Sequence, residues 1–172
     1  MSDHYVGMTS ELVEQKKGGY SKEQRAPMPT PKISFGCCVD GLNEYFYTVG
    51  GLEAKDVISK ECTAYSIQED KWQVLPQLQE PLYSTSCIVF NSEHLYAIGG
   101  TNSAHKETKV IQRLNLADPQ EWETLPIKLP SALCNIGLFQ VEINQLLIFG
   151  GFSSSKAQAT TLVCNMIESE GG

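Results

Sequence analysis

Three glycine doublets close three short apolar runs: YFYTVGG at 45–51, LYAIGG at 95–100 and LLIFGG at 146–151. Their first glycines, Gly50, Gly99 and Gly150, stand 49 and 51 residues apart. A second landmark keeps that rhythm. Trp72 and Trp122 are 50 apart and open the related phrases WQVLPQL (72–78) and WETLPIKLP (122–130), so Pro76 and Pro126 repeat at 50 as well. Two landmarks sharing one phase define an internal repeat, and repeats of this length mark modular architectures.

Each unit has the same internal order. Two apolar runs flank a polar turn before the doublet: ISFGCCVD–GLNE–YFYTV, STSCIVF–NSEH–LYAI and LCNIGLFQV–EINQ–LLIF. Short runs rich in Val, Ile, Phe, Tyr and Cys, bounded by Asn, Asp, Gly and Glu, read as strands joined in hairpins. A polar loop follows the doublet (LEAKDVISK, TNSAHKET, FSSSKAQA), then a third strand (CTAYSI, KVIQRLNL, TTLVCNMI). A brief acidic turn and a Trp-led fourth strand complete the unit. Beyond Arg25 no stretch keeps a helical period. Four antiparallel strands in about 50 residues describe one blade of a propeller. The units run over 33–75, 84–125 and 133–167, and the third ends before its fourth strand.

This pattern resembles the kelch repeat, whose unit carries a glycine doublet, a later Tyr and a Trp about seven residues beyond it. The first unit has Gly50, Gly51, Tyr65 and Trp72; the second has Gly99, Gly100 and Trp122, with Leu114 at the Tyr place. The third has Gly150 and Gly151, with Asn165 at the Tyr place. The phrase RAPMPTPKISFG at 25–36 is similar to the stretch between kelch blades, with Lys32 where Arg is common. The likeness covers residues 25–172. It implies an all-β kelch-type β-propeller segment of about three four-stranded antiparallel blades, an incomplete propeller. The doublets, Tyr and Trp are expected to pack: Gly takes positive φ and admits a close neighbour, and flat aromatic rings fill the wedge between blades.

An arc of three blades leaves an uncovered apolar face at each end, larger than a soluble monomer usually shows. A longer chain, a second copy joined head to tail, or another protein would each cover it; closure in trans is the expectation. The polar residues 1–24 read as an N-terminal arm, either disordered or supplying a closing strand.

Composition limits the functions. Thirteen Lys and Arg against 20 Asp and Glu give a net charge of −7, which disfavours a role in neutralising nucleic acid or anionic lipid. The longest apolar stretch, 131–151, is broken by Asn135, Gln140, Glu142, Asn144 and Gln145, so membrane insertion is not expected. No secretory signal is legible. The six cysteines at 37, 38, 62, 87, 134 and 164 read as reduced and buried, in a cytoplasmic protein. Family habit adds the cytoskeleton and cilium as settings.

Catalytic and metal-binding patterns are missing. His4, His94 and His105 have no partner at ligand spacing, and Cys37 with Cys38 would point to opposite faces of a strand. The doublets lack the continuation that cradles phosphate, and the carboxylates lie in turns. No catalytic, cofactor-binding or metal residues, and no cofactor, are assigned. The expected function is non-catalytic protein–protein interaction, as a scaffold or complex subunit. The alternative is a propeller enzyme acting on a sugar, of the oxidase or mutarotase type. Partner binding is expected on the post-doublet loops, gathered on one rim: Glu53, Lys55 and Asp56; Asn102, His105 and Lys106; Ser153, Ser154, Ser155 and Lys156.

Overall fold

Apolar runs of about five residues, each ended by Gly, Asn or Asp, are too short for helices and suit half-buried strands. The computed structural model describes residues 11–16 and 19–166, with side chains from Lys22 onward. The chain is all-β within these bounds, apart from one 3-10 turn at Ala54–Asp56. A first ribbon pairs β1 (Glu11–Lys16) with β2 (Gly19–Gln24). Within the described part of the arm these two strands pair with each other along their length. Residues 1–10 lie outside the described residues.

The repeat units become three consecutive meanders. The first sheet orders β3 (Gly36–Val39), β4 (Tyr45–Val49), β5 (Cys62–Ser66) and β6 (Lys71–Leu75). The second orders β7 (Ser86–Phe90), β8 (His94–Ile98), β9 (Ile111–Asn115) and β10 (Glu123–Thr124). The third has β11 (Gly137–Glu142) and β12 (Gln145–Phe149), then, after a small ribbon of β13 (Phe152–Ser153) and β14 (Lys156–Ala157), β15 (Thr161–Asn165). All pairings are antiparallel. The Trp-led fourth strand of the second unit is only two residues long, and Trp122 precedes it. The third sheet has three strands.

Register corrects one assignment. Gly50 and Gly99 donate to the carbonyls of Glu61 and Val110, eleven residues on, but Gly150 donates to Thr160, ten residues on. The third loop is one residue shorter, and the third strand shifts with it. Tyr65 lies opposite Phe46, and Leu114 opposite Leu95; the equivalent partner of Leu146 is Cys164, not Asn165. A one-residue slip exchanges the faces of a strand. Cys164 thus packs against the core, while Asn165 faces outward and accepts a 3.3 Å hydrogen bond from Gln145.

The first strands β3, β7 and β11 lie side by side, and each sheet stacks on the next. Tyr47, Val49, Cys62 and Ala64 of the first sheet meet Val89, Leu95, Leu114 and Trp122 of the second. Tyr96, Ile98 and Ile111 on the other face of the second sheet meet Ile136, Leu146 and Ile148 of the third. Trp122 is fully buried at the first junction. Removing some 200 Å² of indole from water contributes on the order of 5 kcal/mol before entropic losses. Its N–H donates to the carbonyl of Pro76 at 2.9 Å, and Trp72 donates to Ala26 in the same way at 2.9 Å. Trp72, only half-buried, stacks on Tyr65 with ring centroids 5.0 Å apart. The Tyr65 hydroxyl and then the Ala26 amide donate to Asp70, holding its carboxyl below the ordinary carboxylate range.

The doublets form the joints between sheets. The Leu82 carbonyl enters the first, accepting a 2.8 Å bond from Gly51 N–H, and the Leu133 carbonyl does the same at Gly100. A methyl group on Gly50 would sit 2.2 Å from the Leu82 oxygen, and one on Gly99 2.3 Å from the Leu133 oxygen. The closest neighbour of Gly50 and of Gly99 is therefore a backbone carbonyl, with a leucine side chain beyond it, while Gly100 crowds Thr85 and Gly151 crowds Ile136. Gly150 keeps the same left-handed φ of +67°, yet its nearest neighbour would be 4.0 Å away. Gly99→Ala should therefore cost about 3 kcal/mol or more, combining steric overlap with backbone strain, whereas Gly150→Ala in dilute solution should cost only the strain, about 1–2 kcal/mol. Urea unfolding of the two variants beside the unaltered chain measures both.

Candidate functional site

The post-doublet loops all leave the same end of their sheets, because each follows the second strand of a meander with identical topology. They are anchored there by equivalent isolated bridges, Ile33 to Leu52, Tyr83 to Thr101 and Cys134 to Phe152. Lys55, Asp56, His105, Lys106, Ser154, Ser155 and Lys156 are exposed, and Glu53, Asn102 and Ser153 are half-buried. Tips of this kind need left-handed residues, and Lys55, Asp56, His105, Ser154 and Ser155 all have positive φ.

Each loop is shaped from within. Asn102 uses its side-chain oxygen to accept from the amides of Ala104 at 3.0 Å and Lys106 at 3.3 Å. That residue organises the second tip rather than presenting its oxygen outward. His105 lies edge-on to Tyr83, ring centroids 6.1 Å apart. In the third loop, Ser153 and Lys156 pair across the small ribbon. Among the described residues no hydrogen bond or ion pair joins one of these loops to another.

At this same end the first strands of the three sheets frame a cavity of about 360 Å³. Phe35, Gly36 and Cys37, Thr85, Ser86 and Cys87, and Asn135, Ile136 and Leu138 line it, three from each unit. No charged side chain lines it. It offers hydroxyl, thiol and apolar surface, a setting for neutral hydrogen-bonding groups rather than for acid–base chemistry. Ser86 Oγ donates to the Ile136 carbonyl at 2.6 Å, tying the second unit to the third across this mouth. Sequence reading passed over these positions. Their signal was the repeat itself, since Cys37 and Cys87 are 50 residues apart at the start of equivalent strands.

All six cysteines are free thiols. Cys62, Cys87 and Cys134 are buried, but Cys37 is exposed and Cys38 and Cys164 are intermediate, so burial is less general than their apolar surroundings suggested. Cys37 and Cys38 do point to opposite faces: Cys37 lies opposite Thr48, and Cys38 opposite Tyr47 on the face against the second sheet, 3.4 Å from the Cys87 sulfur. Burial pushes the Cys87 thiol well above its ordinary value, with Cys38 adding to the effect. Burial likewise lifts Cys62 to about 12. A thiol kept protonated is a poor nucleophile, which makes packing the role of these two. Among the described residues, no group of three His, Cys, Asp or Glu side chains is placed to hold a metal ion, and no helix is long and apolar enough to cross a membrane.

Comparison with protein-family models finds none that matches this chain, and comparison with curated proteins finds no match.

The raised thiols set a pH dependence. The unfolded chain releases the Cys62 proton near pH 9, while the folded chain holds it to about 12. The stabilisation is thus complete below pH 9 and is lost as pH rises towards 12, by at most about 1.4 kcal/mol per pH unit for each such thiol. Urea midpoints between pH 8 and about 11 should fall, and Cys62→Ala should flatten the slope.

Proposed function

We propose that this chain is an arc of a kelch-type β-propeller that serves as a non-catalytic protein–protein interaction module. The observation that carries the reading is the twofold recurrence of one joint. In it a leucine carbonyl is seated on a glycine doublet, with first strands side by side and each sheet stacked on the next. Side-by-side first strands around a common mouth support this reading, since propeller blades are set radially in that way. The four-stranded meanders and the indole buried at the first junction support the same reading.

Recognition falls to the rim. Rigid sheets hold three polar loops of mixed charge around an uncharged mouth, and loops carried on a fixed scaffold suit protein surfaces. Lys55, Asp56, His105, Lys106 and Lys156 would supply the exposed charged and hydrogen-bonding contacts, and the mouth would accept a neutral side chain or a stretch of peptide backbone. The uncovered faces of the first and third sheets would be met by a further segment of a longer chain, by another protein or by a second copy.

Replacing residues 53–57, 102–106 and 153–156 by Gly/Ser tests the rim. Partner retained by immobilised wild-type chain should fall at least about tenfold, the effect of losing roughly 1.4 kcal/mol of contact energy, with the far-ultraviolet circular dichroism of a β protein preserved. Unchanged capture by a folded variant would move recognition elsewhere.

A further inference from the structure

The two sheet junctions inside the chain share a backbone clamp with two parts. In the first part, the second glycine of a doublet donates to the carbonyl of the following unit: Gly51 to Leu82, and Gly100 to Leu133. In the second, the following unit donates back: Ser84 N–H to the Ser34 carbonyl at 2.6 Å, and Asn135 N–H to the Ser84 carbonyl at 2.9 Å. By position, Lys32, Leu82 and Leu133 form one equivalent set, and Ser34, Ser84 and Asn135 another.

Both open ends carry the unused halves of this clamp. At the third sheet, the Gly151 N–H and the Asn135 carbonyl have no hydrogen-bond partner among the described residues. At the first sheet, the same holds for the Lys32 carbonyl and the Ser34 N–H. Donor at one end corresponds to acceptor at the other, twice. Gly150 already has the left-handed conformation of Gly50 and Gly99, with open space where they meet a carbonyl.

The side chains follow the same complementarity. Val49 and Ile98, equivalent in the register, are 0% exposed at the internal junctions, whereas Phe149 of the third sheet is 45% exposed. It shares its face with exposed Phe139 and Val163. At the opposite end, Val89 is 9% exposed against the first sheet, while its equivalent Val39 is 46% exposed.

We propose that the third sheet of one copy docks on the first sheet of a second copy, Gly151 N–H donating to Lys32 C=O and Ser34 N–H to Asn135 C=O. This rests on the reading of the chain as a propeller arc, and it names the partner of that arc's open ends. The contact is heterologous; made twice, it closes two arcs into one ring. It continues an interface built twice within each chain, so the occupant already has the required shape.

Sedimentation equilibrium and native mass spectrometry of the 172-residue chain test it. The expected mass is twice the 19.0 kDa of one chain, constant across the micromolar range. A single-copy mass throughout that range, or an open-ended series of larger species, overturns the proposal. Val39→Arg at one end and Phe149→Arg at the other alter side chains already exposed in a single copy, so both variants should fold as judged by circular dichroism. Each alone should be single-copy, and mixing the two should restore a two-copy species through the one junction left intact. A two-copy Val39→Arg variant, or a mixture that stays single-copy, overturns head-to-tail docking. A monomeric chain that still loses its partner when the rim loops are replaced overturns the closure alone. A two-copy chain whose capture ignores those loops overturns the rim reading alone.

Discussion

A peptide carbonyl resting on a pair of glycines is the contact on which the rest of this molecule depends. Any side chain at Gly50 or Gly99 would overlap the Leu82 or Leu133 oxygen. The left-handed backbone there is also one that L side chains adopt only at a cost. Seating the carbonyl fixes how far one sheet stands from the next. At the first junction Trp122 is fully buried between the two sheets, and its N–H donates to the Pro76 carbonyl. Backbone approach and aromatic packing meet at the first junction; at the second the same carbonyl seat recurs against Tyr96, Ile98 and Ile148 without an indole.

The same joint places the candidate site. Because every sheet begins beside its predecessor, three equivalent strand starts converge on one mouth, and three equivalent loops surround it. The chemistry of the mouth follows from what such a crowded position tolerates. Glycine, serine and cysteine stand at the starts of β3 and β7, where neighbouring backbones come close: a methyl group on Gly36 would lie 3.0 Å from the Thr85 carbonyl oxygen. Small neutral residues there give a lining without charge, while exposed charged residues such as Lys55, Asp56, Lys106 and Lys156 stand on the loops. Burial of Cys62 and Cys87 has a chemical consequence as well, since it keeps their protons on and their sulfurs inert.

Much of this architecture was legible from spacing. Doublets at 49 and 51 residues and indoles at 50 gave the three units, their strand order and the end at which the loops emerge. The third Tyr-equivalent was misplaced because counting forward from Gly150 takes no account of a loop shortened by one residue; only the ladder between β12 and β15 reveals that Cys164, not Asn165, faces the core. The ribbon β1–β2 is not legible in the sequence because its strands are polar and have a weak periodic signal. Asn102 directs its side-chain oxygen to amides of its own loop, a contact that its place in a polar loop does not reveal.

By itself the sequence determined the module: a repeat of about 50 residues, strands in a recurring order, and glycine doublets and tryptophans at matching offsets. What it could not determine was which atom meets which glycine, because a carbonyl is present in every residue and carries no signature in the one-letter code. Tertiary structure decided that the closest neighbour of Gly50 and of Gly99 is a backbone carbonyl, and that Gly150 has open space in the same place. The reason is geometric: contacts between units depend on distances across sheets, and those are set only when all the strands have folded together.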